Sequence, residues 1–163
     1  MKTLLIAYHT MTGGTLQMAQ AAAEGAATES NVQVRLLRAS ATHANDLLGA
    51  DGYIFATPEN LAAISGLMKD FFDRSYYAVL DRLNGRPYAS LICAGSDGRN
   101  AARQIERIAS GWRLRPVAPP LIVCTHAQTP EEILRPKRIG SEDLRSCRDI
   151  GAALAAGLDL GMF

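Results

Sequence analysis

The sequence predicts an α/β fold: a three-layer sandwich with a five-stranded parallel sheet between helices. Three observations carry this. Short apolar runs alternate with helix-period segments along the whole chain. The inner runs, "TLLIAY", "GYIFA" and "YASLICA", are apolar almost throughout, as strands covered on both faces must be. The 163 residues, 48% hydrophobic and 20% charged, suffice for one substantial core and show no repeat, linker or low-complexity segment. Residues 1–163 are therefore expected to form a single domain.

The elements follow in order. Residues 3–8 read as a buried strand and 14–27 as a helix. Residues 32–38, "VQVRLLR", alternate with period two, as an edge-side strand does. A short helix near 43–48 precedes the strand 52–56, and 64–81 reads as a long helix with a possible break. The strand 88–94 leads to a helix over 98–110, which places Ala101, Ala102, Ile105, Ile108 and Ala109 at helical spacing. The last strand is 120–124, "PLIVC". "TPEE" at 129–132 is a capping box, with Thr129 and Glu132 flanking a proline at the first helical position. The tail 141–158 is a helix with Ser141 as its expected cap and Glu142 and Asp143 in its first turn. Leu144, Cys147, Ile150 or Gly151, and Leu154 share one of its faces. Right-handed crossovers leave few arrangements of five parallel strands, and the order 2-1-3-4-5 is expected. The winding direction reverses between strands 1 and 3, so a ligand crevice is expected at their carboxyl ends.

Composition narrows the function. A formal net charge of +1, with mixed signs along the chain, leaves no nucleic-acid footprint and no acidic tail. Cys93, Cys124 and Cys147 are widely spaced, form no CxxC pair or zinc pattern, and read as reduced thiols of a cytoplasmic protein; no metal site is expected. The apolar stretch after Lys2 has about five residues, too short for a signal peptide, and "IGAALAAGLDLGMF" is too short to span a bilayer, so no membrane insertion is expected.

Function should therefore lie in the loops at the carboxyl ends of the strands. The first, "HTMTGGT" (9–15), has no lysine or arginine. Gly13 and Gly14 permit close backbone approach, the following helix offers free N–H groups and a positive dipole end, and Thr10, Thr12 and Thr15 add hydroxyls. Together they compose a neutral anion nest. A simple turn with a threonine cap accounts for the same residues, and the loop alone leaves both readings open. The second loop, "TPENLAAISG" (57–66), offers Thr57, Pro58, Glu59, Asn60 and Leu61; the third, "AGSDGRN" (94–100), offers Ala94, Gly95, Ser96 and Gly98, suited to backbone contacts with a flat polar ring. Each also reads as an ordinary strand-to-helix turn. There is no GK[ST], no G-x-G-x-x-G at the first strand end, and no aspartate cluster of a phospho-acceptor receiver.

Taken together, "YHTMTGGT", "TPENLAAISGLMKDFFDR" and "RPYASLICAGSDG" resemble the phosphate loop and two ring-binding segments of the flavodoxin-like FMN proteins, most closely the NAD(P)H-dependent FMN and quinone reductases. Thr10, Thr12, Gly13 and Thr15 match that family's first pattern; Thr57, Pro58, Asn60, Ser65, Gly66, Lys69, Phe72 and Asp73 match its second. The resemblance implies the flavodoxin-like strand order and FMN bound by His9, Thr10, Met11, Thr12, Gly13, Gly14, Thr15, Thr57, Pro58, Glu59, Asn60, Leu61, Ala94, Gly95, Ser96 and Gly98. It also implies NAD(P)H as a transient hydride donor, a quinone or other small acceptor, and a homodimer or homotetramer. No catalytic acid or base is demanded. Two departures stand out: Leu61, Ala62 and Ala63 occupy the place of the family's usual aromatic, and the third loop has none either. Electron-carrier flavodoxins sandwich the ring between aromatics and are strongly acidic, which this chain is not. A carrier and a flavin-free α/β binding module remain the alternatives.

His9 reads as a phosphate contact or, more simply, as a partly exposed orienting histidine; His43 and His126 have no ligand companions. Trp112 with Phe71, Phe72, Tyr76 and Tyr77 reads as core or oligomer packing, and "FFDRSYYAVL" as a possible subunit contact. "RPKR" (135–138) reads as a solvated turn, with the extra phosphate of NADPH as a second reading.

Overall fold

A computed structural model describes all 163 residues. In chain order the elements are β1 (Lys2–Tyr8), α1 (Gly14–Ala26), β2 (Val32–Arg38), α2 (Ala44–Leu48), β3 (Gly52–Asn60), β4 (Ala63–Ile64), α3 (Gly66–Val79), β5 (Pro87–Ala94), α4 (Arg99–Gly111), β6 (Arg115–Pro116), β7 (Leu121–Cys124), α5 (Pro130–Leu134) and α6 (Ser141–Asp159). The sheet runs β2-β1-β3-β5, and the position beyond β5 is shared: β6 pairs with its start and β7 with its end. Every pair is parallel except the small β3–β4 hairpin. This is the flavodoxin-like order 2-1-3-4-5 in a three-layer α/β sandwich, with the short β6 as an addition.

Strand alternation builds two cores. Leu5, Ala7, Tyr53 and Phe55 point to one face, where α3 and α4 add Phe71, Phe72 and Ile105 around a fully buried Trp112. Leu4, Ile6, Ile54 and Ala56 point to the other, against Met18 and Ala22 of α1 and Cys147 and Leu154 of α6. Helices α1 and α6 touch backbone to backbone: a Cβ on Gly25 would collide with the Arg148 carbonyl, and one on Gly151 with that of Ala22. Gly151, not Ile150, is thus the buried member of that face.

Several expectations need correction. The strand expected at 52–56 continues to Asn60 and folds back through β4. Helix α3 is unbroken over Gly66–Val79. Ser141 is not a cap: it is the first helical residue of α6, Gly140 holds the cap position without a side-chain bond, and Glu142 and Asp143 fill the first turn as expected. Phe71 and Phe72 are core residues, so Tyr77 is the strongly exposed aromatic of the segment expected to form a subunit contact. The capping box at Thr129 and Glu132 forms, with Pro130 at the helix start.

Candidate functional site

The carboxyl ends of β1, β3, β5 and β7 open onto a cleft of about 680 Å³. Its base is the loop after β1. Gly13 stands just before α1 with φ of 92°, a left-handed conformation that favours glycine, and its N–H donates to Thr10 Oγ1 at 3.0 Å. The N–H groups of Met11 and Thr12 donate to no group of the protein, and those of Gly14, Thr15 and Leu16 lie in the first turn of α1, where no intrahelical acceptor exists. These donors lie together at the start of α1 and carry positive partial charge, and the loop 9–15 itself holds no lysine or arginine. His9 does not supply a cation: burial, and then the Arg38 guanidinium, lower its pKa, so the imidazole stays neutral at neutral pH. Its side chain lies outside the cleft lining, while its N–H extends the β1–β3 pairing to Ala56 O at 3.0 Å.

A clamp sets the loop's position. Gln17 Nε2 donates to Gly13 O (3.0 Å) and to Lys137 O (2.8 Å), its Oε1 accepts from Ile139 N (3.0 Å), and Lys137 N donates to Thr12 O (2.8 Å). The strap 125–139 is therefore tied across the sheet edge to the loop after β1. Gly14 fits beneath it, packed against Cys93; a Cβ there would lie 2.7 Å from Cys93 Sγ. Burial pushes the Cys93 thiol up to about 11, so it remains a neutral, weakly nucleophilic group although it lines the cleft.

The second loop is a hairpin. Glu59 and Asn60 pair with Ile64 and Ala63 across a two-residue turn in which Leu61 and Ala62 adopt φ of 50° and 61°. Side chains substitute for the usual Asn-Gly turn chemistry. Asn100 Nδ2 donates to Ala62 O, Gln104 Oε1 accepts from Ile64 N at 2.9 Å, and the Glu59 carboxylate accepts from Gly98 N (2.9 Å) and Ala101 N (3.1 Å). Glu59 thus binds the second loop to the start of α4 and occupies that helix's N-terminus itself. The Thr57 hydroxyl is buried, donating to Pro58 O and meeting Ser65, which caps α3.

Of the residues proposed from sequence, Thr10, Met11, Thr12, Gly14, Thr15, Pro58, Glu59, Asn60, Leu61, Ala94, Gly95 and Ser96 line the cleft together. His9, Gly13, Thr57 and Gly98 do not line it; they shape the loops that do. Sequence reasoning missed Ala62, Cys93, Thr125, Ala127, Gln128, Ile133, Leu134 and Lys137. The capping box marked α5, but nothing local places it over a loop more than a hundred residues away. No aromatic side chain lines the cleft.

The family model for "NADPH-dependent FMN reductase" matches residues 38–129, more than half of the chain. The loop after β1 and most of the strap flank that span. Among curated proteins, a flavodoxin of Aquifex aeolicus (strain VF5) is 38% identical over 59% of this chain and 50% of its own. An NAD(P)H dehydrogenase (quinone) of Acidithiobacillus ferrooxidans is 34% identical over 46% of this chain and 48% of its own. The chain spans about half the length of these curated relatives. Among solved structures, a flavodoxin from the domain Archaea superposes with a TM-score of 0.79 at 18% identity, over 96% of this chain and 99% of that one, a likeness of fold. No helix is long and apolar enough to cross a membrane.

Proposed function

The chain belongs to the NADPH-dependent FMN reductase family, among the flavodoxin-like FMN-binding proteins, and from that premise we propose that it is an oxidoreductase that holds FMN in this cleft and passes electrons from NAD(P)H to a quinone or another small acceptor. The observation that carries the reading is a nest of unused N–H donors opening into a cleft large enough for a mononucleotide. The donor set fits a phosphate ester: several N–H groups without protein acceptors lie at a helix start, and no side-chain carboxylate comes from the loop itself. FMN, when bound, supplies the hydride chemistry. Residues 10–15 would hold the phosphate, and Pro58–Leu61 and Ala94–Ser96 would flank the ring. Glu59 keeps those two walls at fixed spacing, and no side chain is assigned a catalytic proton transfer. Residues 1–163 act as one domain in this reading.

Purified protein mixed with FMN should show the absorbance of a bound oxidised flavin and consume NADH or NADPH when a quinone is present. The relatives named flavodoxin favour a second reading, an electron carrier that docks to redox proteins. The aromatic-free cleft and the net charge of +1 favour the enzyme. Loss of neither nicotinamide with several quinones, together with electron exchange with a ferredoxin-type protein, would reverse that order. A protein that takes up no FMN would be a flavin-free binding module. We further propose a symmetric homodimer or homotetramer, with Tyr77 on the contact surface; light scattering at micromolar protein that reports a monomer contradicts this without touching the flavin reading.

A further inference from the structure

Helix α5 buries no residue of its own. Five residues cannot sustain an isolated helix, and a short helix ordinarily persists by laying an apolar face on a core. Here polar clamps hold both ends instead. At the start, Thr129 Oγ1 accepts from Glu132 N (3.2 Å), and Glu132 Oε2 accepts from Gln128 N (2.8 Å) and Thr129 N (3.2 Å). At the end, the Lys137 ammonium donates to the carbonyls of Glu132, Ile133 and Arg135 at 2.8, 2.7 and 2.6 Å. The same Lys137 donates its N–H to Thr12 O in the nest loop at 2.8 Å, so the helix is registered against the nest.

Between the clamps stand two aliphatic side chains that no core covers. Ile133 is 50% exposed and Leu134 69%, and both line the cleft. The cleft's other large, strongly exposed apolar side chains are Met11 (64%) and Leu61 (102%), from the nest loop and the hairpin tip. Four aliphatic side chains from three separate segments are thus left uncovered around one chamber that contains no aromatic.

We propose that the packing partner α5 lacks is the flavin: Ile133 and Leu134 form an aliphatic contact for the isoalloxazine ring, in a cleft with no aromatic to stack on it. The inference rests on the FMN reading above. The ring is planar, apolar at one edge and continuous with the phosphate that the nest would take, and the strap ties the helix to that nest. Specificity then divides by segment. Residues 10–15 read the phosphate; α5 reads the ring and discriminates nothing about the phosphate.

The test compares wild type with the double variant Ile133→Asn, Leu134→Asn, titrating FMN and riboflavin separately into flavin-free protein. Both side chains are largely exposed without ligand, so the variant's flavin-free melting temperature should equal that of wild type. Its affinity for both flavins should fall by about tenfold to a hundredfold, with the FMN-to-riboflavin ratio preserved. A second measurement needs no variant: amide hydrogen exchange over 130–137 in wild type should slow when FMN is added. Unchanged affinity, or unchanged exchange in that segment, overturns the proposal. A loss confined to FMN overturns it too, since the effect would then run through the nest. A variant that instead lost self-association while binding flavin normally would show that a second copy of the chain covers α5. Wild type that bound neither flavin would overturn the FMN reading, and the proposal with it.

Discussion

Gly14 must do two things that no larger residue does. It opens α1, where its N–H has no intrahelical acceptor, and it lets the loop lie against the end of β5, where Cys93 Sγ would stand 2.7 Å from an added Cβ and Lys137 Cβ 3.3 Å. Both neighbours belong to walls of the site, so a side chain at this position pushes the nest away from β5 or from the strap. Gly14→Ala should destabilise the protein by about 1–3 kcal/mol. Cys93→Ala in the same chain removes the closest obstacle, and urea denaturation of wild type, both single variants and the double should report a favourable coupling. Strictly additive effects would mean that the sulfur is not what confines the loop. The sequence marks Gly14 as a loop glycine but not the reason for it, because Cys93 lies far along the chain and approaches only through the β3–β5 pairing.

At the scale of elements, the nest depends on where α1 lies, and α1 is seated by α6. Gly25 and Gly151 bring the two helices into backbone contact, each facing a carbonyl of the other helix. A backbone carbonyl cannot rotate away as a side chain does. Gly151→Ala should therefore cost stability at the upper end of about 1–3 kcal/mol, a fall of several degrees in melting temperature by calorimetry. Gly66→Ala is the control: an added Cβ there meets nothing within 4 Å, and it should change the melting temperature little. Equal effects of the two would contradict the close crossing. The helices and strands themselves are largely readable from sequence. Their apolar runs have the right period and length, and the crossover rule then orders the sheet. The hairpin is not readable, because Leu61 and Ala62 carry no turn signal; their left-handed conformations are imposed by Glu59, Asn100 and Gln104 acting across the loop. The reach of the strap is hidden for the same reason. Gln17 and Lys137 meet through hydrogen bonds that no local pattern encodes.

The molecule as a whole brings the loops after β1, β3, β5 and β7 around one cleft at one edge of the sheet. Two helices begin there after a left-handed glycine, α1 after Gly13 and α4 after Gly98. Glu59 fills the second start, whereas no side chain caps the first and no acidic residue lies in its first turn. The start of α1, with no lysine or arginine in the loop 9–15, would select a flavin that carries a phosphate. Charge-assisted N–H bonds contribute about 1.5–3 kcal/mol each, and the helix terminus about 0.3–1 kcal/mol. Discounted for non-additivity and for desolvating a dianion, three or four donors suggest a preference on the order of 3–5 kcal/mol. The decisive measurement is a calorimetric titration of FMN and of riboflavin, which lacks only the phosphate, into wild type and Thr12→Glu. Wild type should bind FMN roughly a hundredfold to several thousandfold more tightly. Thr12→Glu, which sets a carboxylate against the phosphate, should lose FMN while keeping its weak hold on riboflavin. Equal affinity of wild type for the two flavins, or normal FMN binding by Thr12→Glu, would contradict a phosphate-selecting nest.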